Sequence, residues 1–512
     1  MNDKQTFESN EAQALLNNKK RRRRIIARCS IIVAIAIVVI IVGSMLILEH
    51  PHLRTNYTGN SALTRQDTDG SALFTSYAGP ILPMSALGDT STLTTQRELT
   101  FDFSGFENES DRIYDSTFYF GDIRVTDRYI LTNPTASDQT VQLIYPFVGN
   151  FRELGRLRPS VISDGDALDT VLISGAYSGG FTGAGGDDDR AMNLRFPETW
   201  HSYVELLADG TYLQRALGNA PVLDQPVIVY TFTNLQADHS ASINPSLAVS
   251  FQLDFSETTV LSYGFHAATF DPENNFMRQG FSIPRENNHH HGRVFKLIVV
   301  GNDITDIAVQ GYANAGWHPG EERTDISADM RRYEAVLGDV LVELIDAFIE
   351  MAFPSLGVEA SVSCDRMDAM LFRAVAELLK DHGVLSDHVA ARYETGWLED
   401  MIHEVYVMSR VFYLMAEVTV PAGESVEILA ERIKPASFDF FVKGLHNSRV
   451  LGYDMMTSLG SALTFDAISA SITGTESVEV VNQNFGFDPD NEVIKVTLTT
   501  DMPRYFLEVR FR

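Results

Sequence analysis

The chain has 512 residues, with 40 Lys and Arg against 68 Asp and Glu, which gives a formal net charge of −28 at pH 7. Such an excess of negative charge disfavours binding to nucleic acids and anionic lipid surfaces, because like charges repel over roughly a Debye length. With 45% hydrophobic residues, the chain is long and apolar enough to bury a sizeable core.

The first feature along the chain is an uncharged, apolar run from Cys29 to Leu48. At about 1.5 Å per residue, a helix of this length reaches about 30 Å, the thickness of the bilayer hydrocarbon core. A cleaved secretory signal has a shorter apolar core, about 7–15 residues, followed by a small-residue cleavage site. The sequence Leu46-Ile47-Leu48-Glu49 contains no such site. The run therefore predicts a permanent signal-anchor, a single transmembrane helix that we place at residues 25–48.

The orientation of this helix follows from its flanks. The basic residues lie on its N-terminal side: Lys19, Lys20, Arg21, Arg22, Arg23, Arg24 and Arg28. Because flanks rich in Lys and Arg stay in the cytoplasm, residues 1–24 are predicted to be a cytoplasmic tail and residues from about 49 onward to be extracytoplasmic. A nuclear or nucleic-acid-binding patch is the alternative, but retention and contact with anionic headgroups explain a basic run beside a spanning helix better.

The predicted external part is more acidic than the whole chain. The first 48 residues hold 8 Lys and Arg and 3 Asp and Glu, so 32 basic and 65 acidic residues remain, a net charge of −33. Cys364 is the single cysteine of that part, so no intrachain disulfide can stabilise it. A long, acidic, disulfide-free ectodomain is typical of a bacterial surface protein. This negative charge leaves cations, basic envelope proteins and neutral glycans as candidate partners and disfavours nucleic acid.

Residues 49–95 are rich in Ser, Thr, Gly and Pro and predict an extracellular tether. Alternation at Leu99, Phe101 and Phe103 then predicts a strand with one buried face. Short β-rich runs separated by turn residues continue to about residue 320, which favours a β-sandwich-like domain over 96–320. Turn residues 133–138 between two apolar runs predict a hairpin-like connection.

Residues 321–404 change to helical spacing. The apolar stripe from Met330 through Tyr333 to Phe348 predicts a first helix, residues 363–383 a second, and the spacing from Val389 to Met401 a third. Strand patterns return over 405–512, where Pro421-Ala422-Gly423 is expected to form a hairpin turn. The predicted fold class is thus a membrane-anchored, β-rich α+β protein, with one N-terminal transmembrane helix and extracellular β-sandwich-like domains around a three-helix segment.

Two sets of acidic residues are candidates for holding a divalent cation. On the first predicted helix, four carboxylates follow i, i+4, i+7, i+11 spacing, and an acidic turn lies between the last β runs: Asp339, Glu343, Asp346 and Glu350; Asp488, Asp490 and Glu492. Clustered carboxylates can bind calcium, although neither set matches the EF-hand loop. We favour the solvent-exposed face of an amphipathic helix for the first set and a turn for the second.

No sequence motif indicates a catalytic or cofactor-binding residue. We therefore expect a non-catalytic role in recognition, assembly or accessory function at the cell envelope. Two alternatives stay open: a membrane-anchored envelope hydrolase acting on glycan or peptide, and a signalling subunit that acts through a membrane partner. The hydrolase would need two carboxylates at suitable separation in a cleft, which sequence spacing does not give.

Overall fold

The computed structural model describes residues 76–77, 79–105, 121–177, 211–240, 242, 244–283, 294–352, 364–387, 389, 393–439, 450–459 and 463–512. All belong to the second of the two units into which the chain divides, residues 66–512. The predicted membrane segment and its basic residues, Lys19 to Arg24 and Arg28, lie outside the described residues. Within the described part of the chain, no helix has the length and hydropathy needed to cross a bilayer.

The fold is β-rich, as expected, and its largest sheet, sheet 1, has seven strands. They are numbered along the chain, and their spatial order is β24 (Lys495–Leu498), β22 (Ala467–Thr473), β3 (Thr94–Asp102), β4 (Ile123–Thr132), β19 (Ser425–Lys434), β6 (Ser160–Ser163) and β7 (Asp166–Ala167). β22 runs parallel to β3, whereas β3 and β4 are antiparallel. Alternate residues of β3 and β4 are buried, which is the period-2 pattern predicted for a strand with one buried face.

Two smaller sheets are built from the same two regions of the chain as sheet 1, residues 76–177 and 410–511. Sheet 2 has the order β2 (Ser85–Leu87), β5 (Gln139–Gly149), β18 (Arg410–Val420) and β8 (Val171–Tyr177). Sheet 3 has the order β1 (Ser76–Tyr77), β20 (Phe438–Asp439), β21 (Val450–Met456), β25 (Arg504–Phe511) and β23 (Val478–Gln483). Ile81, Leu82 and Met84 are buried. The last part of the predicted tether, residues 79–95, therefore belongs to the folded body.

Strands from the two predicted β domains share sheets. β19, β22 and β24, from the predicted C-terminal domain at 405–512, complete sheet 1 with β3 and β4. In sheet 2, β18 pairs with β5 along eleven residues. The predicted boundaries at residues 320 and 405 therefore do not divide the sheets between two β domains, since sheets 1 and 2 contain strands from both sides.

Both predicted hairpins are wrong. β4 and β5 are joined by residues 133–138, but β4 lies in sheet 1 and β5 in sheet 2. In the same way, the turn at Pro421 to Glu424 joins β18 of sheet 2 to β19 of sheet 1. Both segments do reverse the chain. Each reversal crosses between two sheets, because the apolar face of each strand is buried against the other sheet.

Residues 211–407 are inserted between β8 and β18, two neighbouring strands of sheet 2. The insertion carries sheet 4, in the order β11 (Thr258–Tyr263), β14 (Lys296–Gly301), β9 (Pro226–Gln236) and β17 (Ser327–Val336). It also carries sheet 5, in the order β12 (Ala267–Asp271), β13 (Phe276–Ser282), β10 (Ser246–Gln252), β15 (Thr305–Tyr312) and β16 (Glu322–Arg323). An apolar cluster that includes Phe232, Phe251 and Phe281 joins the two sheets as a sandwich.

The described residues form five α-helices. They are α1 (Leu154–Leu157), α2 (Thr211–Leu217), α3 (Leu337–Ala352), α4 (Cys364–Asp381) and α5 (Leu398–Val407). The second predicted helix is confirmed as α4. The first begins later than predicted, since Met330 and Tyr333 lie in β17, where pairing with β9 overrides the helical spacing. The third also begins later, because Gly396 has φ +68° and Trp397 is the N-cap of α5.

Helices α1, α3, α4 and α5, sheet 4 and sheets 1 and 2 share one large apolar core. It includes Leu341 of α3, Leu371 of α4, Ile402 of α5, Val229 of sheet 4 and Phe412 of sheet 2. β14 of sheet 4 is buried on both faces, because its successive residues contribute alternately to this core and to the sandwich with sheet 5. That double burial explains why β14 is apolar without alternation.

Candidate functional site

The predicted acidic turn closes the connection between β23 and β24. The amide of Val493 donates to the Asp488 carbonyl at 2.8 Å, and the Asp488 amide donates to the Val493 carbonyl at 2.9 Å. The Asp488 carboxylate accepts from the backbone amide of Asn491 at 3.2 Å and from its side-chain Nδ2 at 2.7 Å. Glu492 has φ +61°. The Asp488 carboxylate thus caps a short 3₁₀ turn, Pro489–Asn491, as a turn residue is expected to do.

The acidic stripe of α3 faces solvent. Asp339, Glu343, Asp346 and Glu350 are all exposed. Glu343 accepts a hydrogen bond from Lys296 Nζ at 2.6 Å, and Lys296 is buried on β14 of the adjoining sheet. Within the described residues, no three His, Cys, Asp or Glu side chains are brought together as a metal site. The contacts of this stripe are those of an amphipathic helix whose polar face is anchored at one point by a lysine.

The edge of sheet 3 is the setting of the strongest candidate site. β23 is its terminal strand and pairs antiparallel with β25, with a register shift between Val480 and Asn482. No described strand pairs with the other edge of β23. The strand is held firmly, because Val480 packs against the core between sheets 1 and 3 and Val481 packs against a second apolar cluster. The edge that no described strand occupies therefore presents a fixed row of backbone donors and acceptors.

A groove of about 680 Å³ lies between β23 and the acidic turn. We call it the β23 groove. Four carboxylates line it, and Arg512 is its single basic lining residue: Glu476, Glu479, Asp488 and Asp490. Phe487 forms an apolar part of the lining and stacks on Phe485 with ring centroids 5.0 Å apart. Since Phe487 is buried, the exposed lining of the groove is mainly polar, with an acidic rim.

Exposed apolar residues continue the surface beyond the acidic turn. Val493 and Ile494 leave 40% and 46% of their surface exposed. On β23, Glu479 is exposed and meets Arg510 at 3.4 Å in a surface ion pair. Such a pair is worth about 0–1 kcal/mol, so it leaves Glu479 available to another cation.

A second concentration of charge is buried inside sheet 1. Arg97 of β3 donates to both carboxylate oxygens of Asp127, through Nε at 2.9 Å and Nη2 at 2.8 Å. Its Nη1 donates to the carbonyl of Met456 at 2.8 Å. The Tyr129 hydroxyl donates to Asp127 at 2.8 Å and accepts from the Met84 amide at 3.0 Å. Burial raises the pKa of the Tyr129 phenol well above its ordinary range. Every donor of this network is inside the protein, which makes it a structural element.

Two more cations follow on the same buried face of β19. Arg432 is 4% exposed, and no described residue accepts a hydrogen bond from its guanidinium. Lys434 is 1% exposed and donates to the Pro435 carbonyl at 2.7 Å and to Ser437 Oγ at 3.1 Å. Burial, and then the positive charge of Arg432, lower the pKa of Lys434 to about 7 against the opposing effect of Asp454 and Asp122. This side chain can change charge near neutral pH.

Sequence reasoning found part of the β23 groove and missed the rest. Asp488 and Asp490 were singled out, and the structure places them beside Glu476 and Glu479, which were not. The run Val478-Glu479-Val480 carries a strand-like alternation, but nothing local distinguishes an edge strand from a central one. Glu492 belongs to the same turn but does not line the groove. The α3 stripe is a separate surface.

Searches against protein-family models and against curated proteins found no match for this chain. The properties of the β23 groove therefore carry the functional interpretation. A concave acidic surface beside a strand edge that no described strand occupies is suited to binding an extended, basic ligand.

Proposed function

We propose that this chain is a single-pass surface protein whose acidic ectodomain has a non-catalytic role in recognition, assembly or accessory function at the cell envelope. Its N-terminal tail is cytoplasmic, residues 25–48 cross the membrane, and residues from about 49 onward are extracytoplasmic. The β23 groove is the recognition site, and its partner is a cationic segment of an envelope protein. The observation that carries the proposal is the acidic rim of a groove beside a strand edge that no described strand occupies.

Charge supports this choice of partner at two distances. At long range, the net charge of −33 outside residues 1–48 attracts cationic partners and can raise their association rates roughly 10–1000-fold at low salt. At contact, the four carboxylates of the groove outnumber its one arginine. Salt at physiological concentration screens charges beyond about 8 Å, so the contact charges decide specificity.

The test is crosslinking in intact cells, followed by purification of the full-length protein and identification of the proteins that copurify. It compares wild type with two variants. The variant Glu479→Lys/Asp490→Lys reverses two charges of the groove. The matched control, Asp339→Lys/Asp346→Lys, makes the same charge change on the exposed face of α3. We expect a stoichiometric envelope partner to be retained by wild type and by the control and lost from the groove variant. Equal recovery by all three proteins would exclude the β23 groove as the recognition site.

The topology is tested separately, with protease added to intact cells or spheroplasts. The proposed orientation predicts that residues beyond about 49 are accessible from outside, while an epitope placed in residues 1–18 is digested only after the membrane is opened. An externally accessible N-terminal epitope would contradict the orientation derived from the basic flank.

A further inference from the structure

We infer that the partner of the β23 groove binds as an added β-strand, an extended segment of another protein in which basic residues alternate with apolar ones. This inference rests on the proposed function, since it specifies how the proposed cationic partner is held. It adds that the backbone of the partner pairs with the backbone of β23, which electrostatic attraction alone does not require.

The first argument is the backbone of the open edge. In an antiparallel pair, residues alternate between those whose amide and carbonyl face the neighbouring strand and those whose groups face away. Since β25 pairs with one edge of β23, the outward groups of β23 lie on its other edge, and all six residues of β23 line the groove. An extended segment laid along this edge would pair with them, as happens in strand addition to exposed sheet edges. Six residues of strand span about 20 Å, so a segment of five or six residues matches β23.

The second argument is charge, which decides among possible occupants. Open edges invite a second copy of the same chain to pair, and proteins prevent this with charged edge residues. Here Glu479 lies on β23, Glu476 lies in the turn just before it, and Asp488 and Asp490 line the same groove. An identical acidic strand would be repelled, whereas a strand bearing Lys or Arg would be attracted to both sides.

The third argument is the apolar surface next to these charges. Val493 and Ile494 are exposed directly beyond the acidic turn, whereas Phe487 in the groove lining is buried. Side chains of an added strand alternate between two faces, so a segment with apolar residues at every second position can cover apolar surface while its basic residues meet the carboxylates. A purely basic, disordered tail would use the charges and leave the apolar surface uncovered.

The experiment measures binding of a defined probe to full-length protein in lipid nanodiscs. The probe is an eight-residue peptide that alternates Lys with Val and Thr, with blocked ends. Its control has the same sequence with every second backbone amide N-methylated, which keeps the charge and removes backbone donors. We expect the control to bind at least tenfold more weakly than the probe. We also expect Glu479→Lys/Asp490→Lys to weaken binding of the probe at least tenfold, with Asp339→Lys/Asp346→Lys close to wild type.

The outcomes separate the two proposals. Equal binding of both peptides, lost in the groove variant, would overturn strand addition and leave recognition by the β23 groove intact. Equal binding of the probe to wild type and groove variant would overturn the groove as the site. Failure of the probe to bind wild type would overturn the inferred alternating strand, while capture of a cationic partner in cells would still support the proposed function.

Hydrogen exchange gives a readout that does not depend on affinity. Strand addition predicts slower exchange of amides within residues 478–483 when the probe is bound, because outward amides gain acceptors. The N-methylated control should leave that exchange unchanged. Probe binding without added protection of β23 would show that the peptide is held by charge alone and would overturn the inference.

Discussion

The amide of Gly423 donates a hydrogen bond to the carbonyl of Asn133 at 2.9 Å, and the Asn133 amide donates to the carbonyl of Glu424 at 2.9 Å. These reciprocal bonds join the two loops that cross between sheet 1 and sheet 2. Gly423 has φ +71°, a conformation that costs an L-residue about 1–2 kcal/mol. The two crossings therefore support each other, although their positions in the chain lie far apart.

The Asn133 side chain is predicted to be essential to this junction. It is buried, and its Nδ2 donates to the carbonyls of Ser137 at 2.8 Å and Val420 at 3.0 Å. Asn133→Ala leaves these acceptors unpaired, so we expect a loss of about 1–3 kcal/mol in the free energy of unfolding. Urea denaturation measures it. As a control, Thr140→Ala removes an exposed hydrogen bond to Thr419 and should cost about 0.5 kcal/mol or less. Equal effects of the two substitutions would contradict the role assigned to Asn133.

The Arg97–Asp127 pair is predicted to be costly to break from one side. Asp127→Asn removes the charge that compensates a fully buried guanidinium. We expect roughly 3–5 kcal/mol of destabilisation, because an uncompensated charge remains in the interior. The paired substitution Arg97→Met/Asp127→Leu removes both charges and should cost less than the single substitution. A double variant less stable than Asp127→Asn would show that the hydrogen bonds to Tyr129 and Met456 outweigh the unpaired charge.

Lys434 predicts a pH dependence of stability above neutral pH. Its pKa is about 7 in the folded protein, against an ordinary value near 10.5 in the unfolded chain. Between these values the unfolded state binds more protons, so the free energy of unfolding rises with pH through this window. Below about pH 7 both states are protonated and the penalty of the buried charge, roughly 3–6 kcal/mol, is fully present.

The measurement is the free energy of unfolding of wild type and Lys434→Met from pH 6 to 9.5. The variant has no lysine to titrate at this position, so the difference between the two proteins isolates its contribution. We expect the advantage of Lys434→Met to be largest at pH 6 and to shrink as pH rises. Parallel curves for the two proteins would contradict a depressed pKa for Lys434.

A further prediction distinguishes Glu343, which bonds to a buried lysine, from the other carboxylates of the acidic stripe on α3. Glu343 bonds to buried Lys296 at 2.6 Å, whereas Asp346 lies exposed on the same face. Glu343→Gln should cost about 0.5–1.5 kcal/mol, since a hydrogen bond to a charged group is weakened but not lost. Asp346→Gln should be neutral or slightly stabilising because it relieves like-charge repulsion along the helix. Thermal unfolding in matched buffers measures both. A larger loss for Asp346→Gln than for Glu343→Gln would contradict this assignment.

Local pattern predicted the elements that depend on short-range physics. The stripe of α4 is confirmed, since Leu371, Val375 and Leu378 are buried as the helical spacing requires. The alternation at Leu99 and Phe101 likewise marked the buried face of β3. Failures occurred where tertiary pairing decided between two local states. Met330 and Tyr333 fit a helix by spacing, but β9 recruits their segment as a strand.

Local pattern also does not predict charged residues on the buried faces of strands. Arg97 and Asp127 occupy inward positions of β3 and β4, where alternation alone predicts apolar residues. Their mutual compensation depends on strands being placed side by side, which spacing along one strand does not specify. Arg432 and Lys434 likewise occupy inward positions of β19, where alternation alone predicts apolar residues.

The sequence by itself determined composition, charge and the periodicities of most helices and strands, because these follow from side-chain chemistry and local backbone geometry. It also predicted the anchor and its orientation. Only the tertiary structure decided that residues 211–407 are an insertion between β8 and β18 and that both turn-rich connections cross between sheets. It alone placed β23 at an edge and brought Glu479 to the same groove as Asp490. Strand neighbours are chosen by burial of faces across long chain separations, a collective free energy that no short window of sequence contains.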